Sequence, residues 1–163
     1  FSLANRFREV VLNGRWVANT NYHDQLTQIP FEVAVARGVG LNTIAILAQH
    51  IHYYIKGIAV VLKGGVLSIS DKYSFDFPAF ENSLQWHEFL NRFWTDAEEF
   101  AVYTEHLSDE QLNAVFSDEK YGTYQRNIEA MIEHSYYHLG QIVLIRKIIE
   151  SQSSVASLKS SND

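Results

Sequence analysis

A chain of 163 residues, 47% hydrophobic and 20% charged, can bury one sizeable core and is too apolar for wholesale disorder. Its formal charge of −6 offers no basic stripe, so nucleic-acid binding is not expected. Cysteine is absent, which excludes disulfides, cysteine-based zinc sites and a thiol nucleophile from the chain itself.

Only two prolines, Pro30 and Pro78, interrupt the chain, a pattern that favours long helices over many short strands. The first helical segment is predicted over Leu3–Ile29, with Leu3, Phe7, Val10, Val11, Ala18, Tyr22, Leu26 and Ile29 on one face. It stops before Pro30, and a connector with Gly38 and Gly40 follows. Asn42 or Thr43 caps a second helix that ends near Leu62, at Gly64–Gly65. Residues 63–79, "KGGVLSISDKYSFDFPA", read as a long aromatic loop.

A third helix is predicted over Phe80–His106, with Leu84, Leu90, Phe93, Ala97, Phe100 and Ala101 as its stripe. Ser108–Gln111, "SDEQ", has the spacing of a capping box and marks a short helical turn. The fourth helix spans Thr123–Ile149, and the Ser-rich tail "SQSSVASLKSSND" is expected to be disordered. Four amphipathic helices make an all-α, four-helix bundle the expected architecture, with one domain over residues 1–150 and a tail over 151–163. The closest approach to a membrane span, "IKGIAVVLKGG", is short and carries two lysines, so no membrane association is expected. No signal peptide is read, and a cytoplasmic protein is the expectation.

Helical phase sorts the seven histidines. At 100° per residue, His138 lies about 40° from His134 and Gln141 about 20° to the other side. Met131, Ile145 and Ile149 share that face, so His134, His138 and Gln141 point inward. In the second helix His50 shares a face with Leu47, Tyr54, Ile58 and Val61, whereas His52 falls opposite and is predicted to face solvent. His23 and His106 lie opposite the stripes of their helices, and His87 lies at a flank.

A single inward histidine is ordinarily a hydrogen-bonded core residue. Three on two helices are harder to satisfy, because an unpartnered buried polar group costs about 1–3 kcal/mol. A divalent metal takes one nitrogen from each ring, and the i, i+4 spacing of His134 and His138 puts both on one side of an ion. A third ligand from His50 leaves positions open, as in catalytic rather than structural zinc. A metal-free bundle with a hydrated polar core is the bland alternative. Other motifs fail: "HEFLN" (His87–Asn91) lacks the second histidine of H-E-x-x-H, and no histidine has Glu three residues before it. "GVGLNT" (Gly38–Thr43) lacks a third glycine and follows no strand, so dinucleotide binding is not expected.

Two stretches carry a family resemblance. "HSYYHLGQI" (His134–Ile142) resembles the helix-4 signature H-x3-H-x-G-Q of the DinB/YfiT-like superfamily, and "ILAQHIHYYIKGI" (Ile46–Ile58) resembles its second helix. The long loop after the second helix and Trp86 early in the third also fit, so the resemblance covers about residues 3–150. It implies a four-helix bundle whose metal ligands are His50, His134 and His138, holding zinc or nickel with water completing the shell. It also implies frequent homodimers, and relatives that transfer low-molecular-weight thiols such as bacillithiol or mycothiol.

The expected function is a metal-dependent transferase joining such a thiol to an electrophilic small-molecule substrate. The alternatives are a non-enzymatic metal-binding stress-response protein and a hydrolase using the same site. Gln141 and Tyr54 are candidates for hydrogen bonds to ligand or substrate, and no carboxylate stands out as a general base.

Overall fold

The computed structural model of the chain describes residues 2–38 and 40–160, with side chains through residue 153. Helix α1 (Leu3–Arg8) starts where the Ser2 hydroxyl accepts the Asn5 amide at 3.2 Å. It continues as a π-helical turn over Glu9–Asn13 and stops at Gly14, so the single helix expected to reach Ile29 is broken. The reason lies in local chemistry that outcompetes hydrophobic periodicity. Asn19 takes a left-handed φ of 59°, and Asn21 caps α2 (Tyr22–Thr27) by accepting the Asp24 amide at 2.8 Å. The Asn21 side-chain amide also donates back to the Gly14 carbonyl at 2.9 Å, closing the loop. Ala18, expected on the apolar stripe, lies exposed in this loop. A short α3 (Phe31–Val35) follows Pro30, which suits a helix start.

Helix α4 (Ile44–Leu62) is capped by Thr43, whose hydroxyl accepts the Ile46 amide at 3.1 Å, and ends before Gly64, at φ 85°. Its 19 residues are long and apolar enough to cross a membrane by length and composition alone. However, 67% of its apolar window is buried within the protein, as in a core helix. Helix α5 (Ser83–Glu105) buries Trp86, Phe89, Leu90, Phe93, Ala97, Phe100 and Ala101. Leu84, expected in that stripe, is 67% exposed.

Helix α6 (Asp109–Asn113) carries the expected capping box, with Ser108 and Gln111 satisfying each other's backbone amides. Helix α7 runs from Tyr124 to Ser160 rather than ending near Ile149. The tail expected to be disordered is helical through Ser160 here, and residues 161–163 lie outside the described residues. No proline or glycine follows Gly140 to stop the helix, and the Ser151 and Ser153 hydroxyls bond back to the Ile148 and Ile149 carbonyls.

Among the described residues the chain is helical, with one isolated bridge between Val115 and Thr123. α4 packs between α5 and α7, and α1 packs against the same two helices. They enclose one apolar core, in which the Phe7 and Phe100 rings lie 4.3 Å apart. The buried Tyr22 hydroxyl donates to the Ser135 carbonyl at 2.8 Å, tying α2 to α7 at the turn that carries His134 and His138.

Candidate metal centre

Ser135, Leu139 and Ile142 bury one side of α7, which sets the rotation of the helix and turns His134 and His138 toward α4. There they meet His50. One nitrogen from each of the three rings lies within 4.8 Å of the others. The Nε2 atoms of His50 and His134 stand 3.2 Å apart, and the ring centroids of His50 and His138 are 4.7 Å apart. These are the three residues that helical phase placed inward, and the structure brings them close together.

Second contacts fix which nitrogen each ring presents. The His50 Nδ1–H donates to the Ser74 carbonyl at 2.7 Å, and the His138 Nδ1–H donates to the Gln141 side-chain oxygen at 2.6 Å. Both rings therefore keep the Nε2 lone pair free. Burial pushes the His50 and His138 imidazoles below their ordinary pKa. His134 is pushed down to about 4, by burial first and then by its two histidine neighbours. At neutral pH the cluster is three uncharged imidazoles, the protonation state a metal requires.

The donor set fits a divalent ion. Nitrogens held 2.0–2.1 Å from an ion at the tetrahedral angle stand about 3.3–3.4 Å apart, close to the His50–His134 separation. Without an ion, His134 in its Nε2–H tautomer donates to the His50 Nε2 across the same gap, so this separation alone does not distinguish the two states. Ring donation to a carbonyl or amide oxygen is also how metal-bound histidines are normally oriented. Gln141, a candidate from the sequence, thus serves His138 directly.

The long loop after α4 supplies what the sequence did not show. Phe75 stacks on the His50 ring at 3.9 Å and 13°. The Tyr54 ring lies 5.1 Å from His50 and 5.2 Å from His134, and its hydroxyl donates to Asp71 Oδ1 at 2.6 Å. Asp71 favours the protonated forms of both His50 and His134, so a carboxylate does sit beside the cluster. Tyr54 and Asp71 also line a cavity of about 380 Å³ walled by Ile58, Leu67, Ile69 and Phe116. No periodic signal announces loop residues such as Asp71, Ser74 and Phe75, because only the path of the loop brings them to α4.

His52 corrects the sequence reading. It points not to solvent but to α5, its ring 5.3 Å from Phe89 and 5.4 Å from Phe93, with Nε2 2.6 Å from Asp96. α4 is covered on two sides, so the face opposite His50 is also an interface. Burial lowers the His52 pKa despite Asp96. His23, His87 and His106 are exposed and away from the cluster, as expected.

Comparisons of the chain with models of protein families, with curated proteins and with solved structures find no match.

Proposed function

We propose that the chain is a divalent-metal-binding four-helix bundle of the DinB-like kind, with His50, His134 and His138 as ligands. The observation that carries this reading is the convergence of His50 and His138 on His134. Each gives its Nδ1–H to a fixed oxygen and turns Nε2 into a common space with His134. A metal-free core would bond the same two Nδ1–H groups, so what favours an ion is the convergence of three ring nitrogens within 4.8 Å of one another.

We further propose that the site serves transfer of a low-molecular-weight thiol to an electrophilic small molecule. A divalent ion bound there, zinc or nickel, supplies Lewis acidity that lowers the pKa of a thiol or water in its open position. The chain's own residues do the rest. His50, His134 and His138 bind, Ser74 and Gln141 orient the rings, and Phe75 shields His50 from water. Ile58, Leu67, Ile69 and Phe116 provide an apolar wall for the electrophile beside Tyr54. A metal-dependent hydrolase is the second reading, favoured by Asp71, whose carboxylate is placed to take a proton near the cluster.

The test uses tag-free protein stripped with chelator and reloaded with zinc or nickel. Products of electrophile conjugation are measured by mass spectrometry with bacillithiol, mycothiol, glutathione and coenzyme A in turn. Conjugation that needs metal and vanishes in His138→Ala supports the transferase. Metal binding with ester or amide cleavage and no conjugation supports the hydrolase. Metal binding without turnover supports a binding or stress-response role, and turnover in stripped protein contradicts the chemistry altogether.

A further inference from the structure

The stretch from residue 66 to 79, between α4 and α5, lies along α4 as a strap held by side chains. Among the described residues, its backbone-to-backbone hydrogen bonds all close within the strap, such as Tyr73 N–H to the Ser70 carbonyl and Ser74 N–H to the Asp71 carbonyl. α4 supplies the outer ties. The Tyr53 hydroxyl accepts the Ser70 amide at 2.8 Å, the Tyr54 hydroxyl donates to Asp71 Oδ1 at 2.6 Å, and the Gln49 side-chain amide donates to the Pro78 carbonyl at 3.3 Å.

Most of the strap is open to water, with Val66 82% exposed and Tyr73 51%. Ser74, at 3%, is the one residue of it that is buried outright. Its carbonyl is the atom that accepts the His50 Nδ1–H at 2.7 Å, and Phe75 stacks on the same ring. The deepest anchor of the strap therefore lies at the histidine cluster. A segment with so little buried surface and no backbone ladder to its support belongs to the low-stability end of a fold.

A neutral imidazole carries one proton, on either nitrogen. With that proton on His50 Nδ1, Ser74 is held and His50 Nε2 is free to accept from His134 across 3.2 Å. With the proton on Nε2, the ring donates to His134 instead. A lone pair then faces the Ser74 carbonyl, and the strap loses its buried anchor. An ion bound at Nε2 excludes the second arrangement, because that nitrogen then carries no proton. We infer that residues 66–79 form a cover latched by the metal, which seats the strap through His50 and Ser74. This latch rests on the three-histidine reading of the site. Leu67, Ile69, Ser70 and Asp71 belong both to the strap and to the wall of the 380 Å³ cavity, so the latch also governs how much of the time that cavity is whole. The coupling is reciprocal: a seated strap strengthens metal binding by the same factor.

The test is hydrogen exchange by mass spectrometry on the full tag-free chain, stripped and zinc-loaded, with zinc uptake read by calorimetry on the same samples. Peptides covering 66–79 should exchange about three- to tenfold more slowly with zinc, the weight of one net hydrogen bond, beyond any slowing across α5. Trypsin cleavage after Lys72, within the strap, should slow likewise, while cleavage after Arg15, in the loop before α2, should not. In His138→Ala zinc should no longer slow the strap. Phe75→Ala should speed strap exchange in the loaded chain and weaken zinc binding together, with α5 exchange unchanged.

Zinc that binds while strap exchange stays unchanged, or slows only as much as α5, overturns the latch and leaves the metal site standing. A Phe75→Ala chain whose strap is freed at undiminished zinc affinity also overturns it, because the coupling must act in both directions. A parent chain that takes up no zinc overturns the latch and the reading of the site together.

Discussion

At the scale of single residues, the account rests on hydrogen bonds behind the imidazoles rather than on the imidazoles alone. Gln141 accepts the Nδ1–H of His138 at 2.6 Å. Gln141→Leu should leave the fold intact and weaken zinc binding roughly 10- to 100-fold, as loss of an orienting partner does elsewhere. Competition with a chromophoric chelator measures it, and an unchanged affinity would show that Gln141 only packs.

Protons give a second residue-scale prediction. The His134 pKa is lowered in the folded chain to about 4, against 6.5 in the unfolded one. Below pH 6.5 the unfolded state binds a proton that the folded state refuses, so metal-free stability falls as pH drops from 6.5 toward 4. His50 and His138 are shifted in the same direction and add to the slope. Urea midpoints of stripped protein across that window should decline, and His134→Ala should flatten the decline. A parent whose midpoint is constant from pH 7 to 4 would contradict the shift.

At the scale of elements, the loop between α4 and α5 is the part that completes the site. It crosses α4 at Gly57, where an added Cβ would lie 2.7 Å from Ile69 Cδ1. Alanine is the better helix former there by about 1 kcal/mol. Gly57→Ala is nevertheless expected to weaken zinc binding, because displacing Ile69 moves the stretch that brings Ser74 and Phe75 to His50. Helix content by circular dichroism should not fall, and zinc affinity equal to the parent's would show that the loop is not part of the site.

Within α5, Trp86 is 1% exposed and its Nε1 has no protein partner. Trp86→Phe should therefore cost little, while Trp86→Ala should cost about 3–5 kcal/mol through lost volume. Thermal unfolding of the two variants distinguishes packing from a hidden hydrogen bond.

At the scale of the whole molecule, what could be read in the sequence followed from helical phase. His50, His134 and His138 were separable from the other histidines because α4 and α7 are regular over several turns. The same reasoning misplaced His52, since one helix wheel cannot show that α4 is covered on two faces. It fused α1 and α2, because apolar spacing continues through Gly14–Asn21 while the backbone there obeys glycine and asparagine. It ended α7 near Ile149, whereas the helix continues to Ser160. Asp71 and Ser74 were invisible for a different reason, since their positions depend on the path of a loop.

Three neutral histidines from α4 and α7 are proposed to hold one divalent ion. Zinc titration of stripped, tag-free protein, followed by calorimetry, tests it most directly. About one equivalent per chain is predicted, with the unfolding temperature raised in step and both effects lost in His138→Ala. No saturable binding in the parent chain, or undiminished binding in His138→Ala, would contradict it.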